Sequence, residues 1–296
     1  MPMAAKGLWN RRRIENDMNK IGINLWNWIE HFDNDAIRLF PTVKSLGYDI
    51  VEFGLDDLDF DPKLVSQAAR DNGLEITLCA VLRNGRDISN ANASVREHTR
   101  DYLTHCLEYA GVMGAKSIGG AVYAGGGRAR LLDENQRKVE WDLAVEGLRS
   151  LTPVANDNGV TICIEPLNRY KTDMVNQTCQ ARRMAEDIGE SCFKVLFDTY
   201  QAAIEEKNIP DAIRNTGSYL GHFHASENDR GCPGTGQVDW NGCFTALADI
   251  GYTGPIVVES FCVSARDSVW RPTELSQDVL AEKAVGFLHS SLNGGV

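Results

Sequence analysis

No run of ~18 consecutive apolar residues occurs, so no segment reads as a membrane-spanning helix. The eight cysteines include no pair at C-x-x-C spacing, which argues against a zinc ribbon or a dithiol redox motif. Positive charge is scarce: Lys+Arg is 30 against Asp+Glu 41, a net charge of −11, with only 6 His. The broad basic surface needed for DNA or RNA is therefore not expected. Glycine is abundant, but neither Gly-rich stretch carries a nucleotide fingerprint. GGAVYAGGGR, residues 119–128, lacks the G-x-G-x-x-G order, and no Lys-Ser/Thr follows PGTGQVDW, residues 233–240. There is no Pro- or Ser-rich linker, no low-complexity tract and no short-period repeat, so the 296 residues read as one domain.

A hydrophobic share of 43% with 24% charged residues is that of a globular protein. Several cysteines sit inside apolar runs, where a thiol behaves as a small hydrophobe. Reduced thiols and a cytoplasmic location are the expectation. Residues 1–17 contain Arg11, Arg12 and Arg13 without a following apolar run, unlike a secretory signal. They are expected to form a flexible extension ahead of a domain spanning residues 18–296.

Eight short apolar runs punctuate the chain: Ile21–Leu25, Asp49–Phe53, Leu74–Val81, Lys116–Val122, Val160–Ile164, Phe193–Phe197, Tyr219–Ala225 and Pro255–Glu259. Most lack strict alternation, as strands buried on both faces of a parallel sheet do. Helical stretches lie between them. Over Ser94–Met113, the residues Val95, Thr99, Tyr102, Leu103, Cys106, Ala110 and Met113 recur at spacings of three and four. Glu134–Asn156 repeats the pattern with Val139, Leu143, Leu148, Leu151, Val154 and Ala155, and Leu280, Ala284, Phe287 and Leu288 do so again. Gly47, Gly73, Gly114 and Gly159 each precede a strand run, at positions that suit the residue just past a helix. Eight strands alternating with about eight helices predict a single-domain α/β (β/α)₈ TIM barrel. An open doubly wound sheet is the competing architecture.

Chemistry in such a barrel sits at the C-terminal ends of the strands. Four successive runs end there in a carboxylate or an imidazole: Glu165 in EPLNRY, Asp198 in DTYQ, His222 and His224 in GHFHASENDR, and Glu259 in ESF. Taken singly, each has an ordinary explanation. Asp198 suits a helix N-cap and either His suits a satisfied core position. Together, three carboxylates and one imidazole form an oxygen-rich set. Such a set suits an octahedral Mn²⁺, Mg²⁺ or Co²⁺ better than a tetrahedral structural zinc. The 119–128 loop is expected to present Tyr123 and Arg128 at the rim. Trp26, Trp28 and Phe32 are candidates for the floor of a sugar pocket, or simple core aromatics. Arg230 is a candidate partner for a ligand oxygen or a rim carboxylate.

IGINLWNW, LEITLCAV, GRDIS, GAKSIGGAVY, CIEPLNRY, LFDTY, HFHASENDR, PGTGQVDW and VVESF together resemble the ketose 3-epimerases, the D-tagatose and D-psicose 3-epimerase family of xylose-isomerase-like barrels. The resemblance runs from about Ile21 to about Leu288. EPLNRY and the H-x-H-x-x-E-x-x-R pattern from His222 to Arg230 are its most specific parts. It implies a divalent metal, manganese first, held by Glu165, Asp198, His224 and Glu259. It also implies Glu165 and Glu259 as the catalytic acid/base pair, with Arg230 on the substrate. Trp26, Cys79, Tyr123 and His222 join as expected substrate contacts. Two positions depart from the family. Well-known members carry a Glu where this chain has Lys171, and a His where it has Gln201; both positions bind substrate near its C1–C2 end. Lys171 and Gln201 are therefore the expected specificity residues.

The expected activity is metal-dependent epimerisation of a keto sugar at C3, by proton removal and return through an enediolate, without an organic cofactor. Alternatives on the same barrel and metal are an aldose–ketose isomerase, an inosose-type isomerase or dehydratase, and a lyase acting on a 3-oxo sugar. All begin with proton abstraction beside a carbonyl. A phosphodiesterase like the endonuclease IV relatives of the fold is disfavoured by the few His and the negative charge, and a sugar-binding protein by the carboxylate cluster. A small-molecule sugar is the expected partner, with no nucleic acid and no membrane. A homodimer or homotetramer is the expected assembly.

Overall fold

Parallel strands close on themselves in chain order β1 to β8, with β8 pairing back to β1. The computed structural model describes residues 19–80, 82–83, 85–263, 269, 271 and 274–292. The expected extension over 1–17 lies outside them. The strands are β1 (Ile21–Asn24), β2 (Ile50–Gly54), β3 (Glu75–Cys79), β4 (Ser117–Gly120), β5 (Thr161–Ile164), β6 (Phe193–Asp198), β7 (Leu220–Ala225) and β8 (Ile256–Val258). Each falls within two residues of an apolar run read from sequence. The barrel is closed, which removes the open-sheet alternative.

The α-helices among the described residues are α1 (Phe40–Ser45), α2 (Pro62–Asp71), α3 (Ala93–Met113), α4 (Glu134–Arg149), α5 (Thr152–Asn158), α6 (Thr178–Ile188), α7 (Thr199–Glu205), α8 (Ile209–Thr216), α9 (Trp240–Asp249) and α10 (Gln277–Leu292). Gly114 and Gly159 cap α3 and α5 at φ +75° and +64°. That left-handed conformation costs a residue with a Cβ more than it costs glycine. Glu134–Asn156 is two helices rather than one. Pro153 lies in the first turn of α5, where its missing N–H is tolerated, and it could not have donated within a continuous helix. Val139 does not share the buried face of α4; it is 56% exposed. No helix among the described residues is long and apolar enough to cross a membrane.

Alternation along the strands divides two cores. Ile23, Val51, Phe53, Ile76 and Leu78 belong to the large apolar cluster shared with the helices. Their neighbours point into the barrel. At the lower end, Gly22 has no Cβ, and one would meet Ile50 at 2.8 Å and Val257 at 3.0 Å, so the interior there is filled. Higher up, the register pairs Asn24 with Glu52 and Glu52 with Thr77, which brings a polar layer onto the axis. Asp198 and His224 are also register partners, at the upper ends of β6 and β7.

Candidate active site

Glu165, Asp198, His224 and Glu259 converge at the C-terminal mouth of the barrel. One ligand atom from each lies within 4.8 Å of the others, and all four side chains are buried. Two are set by strand pairing and two by the first residue beyond a strand. The Glu165 N–H is held by the Gly120 carbonyl at 3.0 Å, and the Glu259 N–H by the Ala225 carbonyl at 3.2 Å. Asp198 takes the N-cap role foreseen for it and also sits in the cluster. It caps α7 by accepting from the Tyr200 N–H at 2.9 Å while its other oxygen faces the cluster.

Arg230 sits among these carboxylates. Its Nη1 lies 2.9 Å from Asp198 Oδ2 and 2.8 Å from Glu259 Oε2, and its guanidinium stacks over the Tyr200 ring. Its backbone is left-handed at φ +64°, a conformation that carries strain in a non-glycine residue. That geometry is pinned from both sides: the Arg230 N–H donates to the Glu227 carbonyl, and Ser260 Oγ donates to the Arg230 carbonyl at 2.7 Å.

Negative charge is in excess here. Burial, then the facing Glu259 and Asp198, push the Glu165 carboxyl well above the usual range. Burial also raises Asp198, with Arg230 pulling it down and Glu259 pushing it back up. Burial opposes protonation of His224, but Glu259 and Glu52 outweigh it and hold the imidazole pKa well above its ordinary value. His224 Nδ1 is buried, has no hydrogen-bond partner among the described residues, and lies 3.4 Å from Glu259 Oε2. An imidazole nitrogen facing three crowded carboxylates is a donor set that fits a divalent cation, which would relieve the repulsion and replace a proton on that nitrogen.

Two of the four, Glu165 and Glu259, line a cavity of about 480 Å³ together with Trp26, Cys79, Arg83, Lys171, Gln201, Arg230 and Phe261, among others. Trp26 stacks on Phe261 with ring centroids 5.4 Å apart. Its indole rests against Gly54, where a Cβ would come within 2.3 Å of the ring. Trp28 and Phe32 are elsewhere: Trp28 Nε1 donates to Asp278, and Phe32 stacks on Phe53 in the core.

Three sequence expectations need correction. Tyr123 does not reach the cavity. It is fully buried behind the wall, and its hydroxyl donates to the Val175 carbonyl at 3.0 Å. His222 does not line the cavity either: it lies two residues before His224 on β7, and its Nε2 is 2.9 Å from Glu52 inside the barrel. Arg128 turns away from the mouth to Asp87 at 2.8 Å, Glu140 and Asp173 at 3.3 Å. It binds three rim segments together instead of presenting a charge to the pocket. The 119–128 loop is tied as well: Gly126 N–H donates to the Leu82 carbonyl and Gly127 N–H to the Lys171 carbonyl.

Glu52 was not anticipated. It is fully buried inside the barrel, accepting from Asn24 Nδ2 and Thr77 Oγ1 at 2.9 Å each and hydrogen-bonded to His224 Nε2 at 2.9 Å. His222 Nε2 is also 2.9 Å away but out of line for a hydrogen bond. Burial alone would raise the Glu52 carboxyl, and the two histidines hold it well below the usual range. The available signal was an acid flanked by Val51 and Phe53 inside a β-run, where solvation is poor. Glu227, inside the H-x-H-x-x-E-x-x-R pattern, is structural: it accepts from Trp240 Nε1 at 2.6 Å and Gly234 N–H at 2.9 Å, anchoring the loop that follows.

Residues 40–288 match the xylose isomerase-like TIM barrel family, and the chain belongs to it. Its relatives include curated ketose 3-epimerases, and it is an enzyme of the isomerase class. It is 30% identical to the D-psicose 3-epimerase of Agrobacterium fabrum over 93% of this chain and 100% of that protein. It is 28% identical to the 3-dehydro-D-guloside 4-epimerase of Escherichia coli over 84% of this chain and 94% of that protein. A solved L-ribulose 3-epimerase structure superposes with a TM-score of 0.88 at 27% identity, covering 94% of this chain and 96% of that one.

Proposed function

We propose that this enzyme epimerises a keto sugar at C3, with Glu165 and Glu259 as the proton-transfer pair. The observation that carries this reading is the placement of two buried carboxylates, from β5 and β8, on the lining of a single cavity. Glu165, Asp198, His224 and Glu259 would hold a divalent ion, manganese first, then magnesium or cobalt. When bound, that ion supplies positive charge to offset the negative charge that develops beside the carbonyl. The stacked Trp26–Phe261 pair gives the sugar an apolar surface, and Arg230 orients its oxygens. One carboxylate takes the C3 proton from one face of the sugar; the other returns a proton to the opposite face. The protein would work in the cytoplasm as a homodimer or homotetramer.

A second reading is proton abstraction beside the ketone of a 3-oxo sugar derivative. Two observations favour it: Lys171 and Gln201 line the cavity in place of the Glu and His of well-known members, and the E. coli relative is named for a 3-dehydro sugar. The test is incubation of metal-loaded protein with ketoses, aldoses and 3-oxo sugars in D₂O. Deuterium at C3 of a ketose is the expected result. Deuterium at C4 of a 3-oxo sugar would establish the second reading. No exchange into any keto sugar would defeat both.

A further inference from the structure

We infer that Glu52 is a positioning residue that commits His224 to one tautomer and so aims its Nδ1 at the ion site. This rests on the metal reading above. Holding a cation requires the imidazole in its neutral form, with one N–H and one lone pair, and the partner of one nitrogen then decides what the other can do. In His224, Nε2 lies 2.9 Å from Glu52 Oε1, an acceptor without a proton to give, so Nε2 carries the hydrogen. The lone pair then falls on Nδ1, the atom that is buried without a hydrogen-bond partner among the described residues and faces Glu259.

Glu52 is itself held rigidly. Its register neighbours on β1 and β3, Asn24 and Thr77, each donate to one of its oxygens at 2.9 Å. The carboxylate crosses the barrel interior from β2 to β7, strands separated by β8 and β1 around the wall. It therefore fixes the imidazole relative to the far side of the barrel, not only relative to its own strand. A negatively charged acceptor on the remote nitrogen also makes Nδ1 a stronger donor to a cation. Glu52 does not line the cavity, so its effect passes through His224.

The test uses Mn²⁺ dissociation constants, measured by chelator competition, for wild type and three variants. Glu52→Gln keeps an oxygen for Asn24 and His224 but loses the charge; about tenfold weaker binding is expected. Glu52→Met removes the acceptor, and loss toward about 100-fold is expected. Thr77→Val breaks a hydrogen bond to the same carboxylate, but on the oxygen that His224 does not use. It should lower the melting temperature while leaving Mn²⁺ affinity within about threefold, which a merely structural role for Glu52 would not separate. Independently of any variant, ¹⁵N-histidine spectra of the Mg²⁺-loaded protein should show His224 protonated on Nε2 and not on Nδ1. Glu52→Gln binding as tightly as wild type, or His224 protonated on Nδ1, would overturn the inference while the metal site stands. Wild-type protein that binds no divalent ion would overturn the metal reading and this inference with it.

Discussion

The Gln201 side-chain oxygen accepts two hydrogen bonds from Asn168, one from its backbone N–H at 2.9 Å and one from its Nδ2 at 2.7 Å. Those two donors settle which end of the amide is oxygen. Gln201 lines the cavity with its oxygen already engaged by Asn168, so the group it has left to offer a ligand is its Nε2, a donor.

Lys171 lines the same cavity, and its backbone N–H donates to the Asn168 carbonyl at 2.9 Å, so the two expected specificity residues are linked through Asn168. The double change Lys171→Glu with Gln201→His should shift relative kcat/KM toward free ketohexoses by at least ~10-fold, equivalent to about 1.4 kcal/mol. Wild type should be weak on fructose, tagatose and psicose. Kinetics on a ketose panel, with metal content matched, check both statements. An unchanged preference in the folded double variant would show the pair to be bystanders.

Glu165 and Glu259 share the cation set and the proposed proton transfer, so alanine would confound the two roles. Glutamine preserves shape and one oxygen donor while removing the proton acceptor. Each of Glu165→Gln and Glu259→Gln should lose at least ~10²-fold in turnover. Stopped assays on samples with near wild-type metal content measure it. Near-normal turnover in either variant would remove that residue from the mechanism.

Elemental analysis of the protein as purified should find about one divalent ion per chain, and a chelator should abolish turnover until the ion is restored. His224→Ala should weaken Mn²⁺ binding by more than about tenfold. Full activity in verified metal-free protein would refute the ion's role.

The Arg128 clamp supports the mouth from outside. Arg128 and Arg130 both reach Asp173 and Glu140, and Asp173 follows Lys171 by two residues. Arg128→Ala leaves partly buried acids short of a partner. It should cost about 1–3 kcal/mol in urea unfolding, the range for charge-assisted hydrogen bonds, and should raise KM with metal content unchanged. If stability and KM both hold at wild-type values, the rim does not depend on this guanidinium.

Much of the architecture was written locally. Strand runs, helix-terminating glycines and the alternation of the two are short-range properties, and the strands appear within two residues of where periodicity placed them. The acids that end β5, β6 and β8 were legible because a barrel brings those ends to one rim whatever the loops do. Side-chain direction within that frame was decided elsewhere. His222 and His224 share a face, so periodicity alone could not choose between them; their contacts in the closed barrel did. Glu52 and His224 are 172 residues apart and meet only because closure sets β2 across from β7. Tyr123 and Arg128 lie on a loop, where no repeat fixes orientation, and partners on other loops drew them away from the cavity. Sequence by itself determined the order of elements and the acids at their ends, because hydrophobic period and backbone preference act over a few residues. The support beneath His224 and the make-up of the cavity wall arose only in the tertiary structure, because they depend on contacts made across the closed barrel.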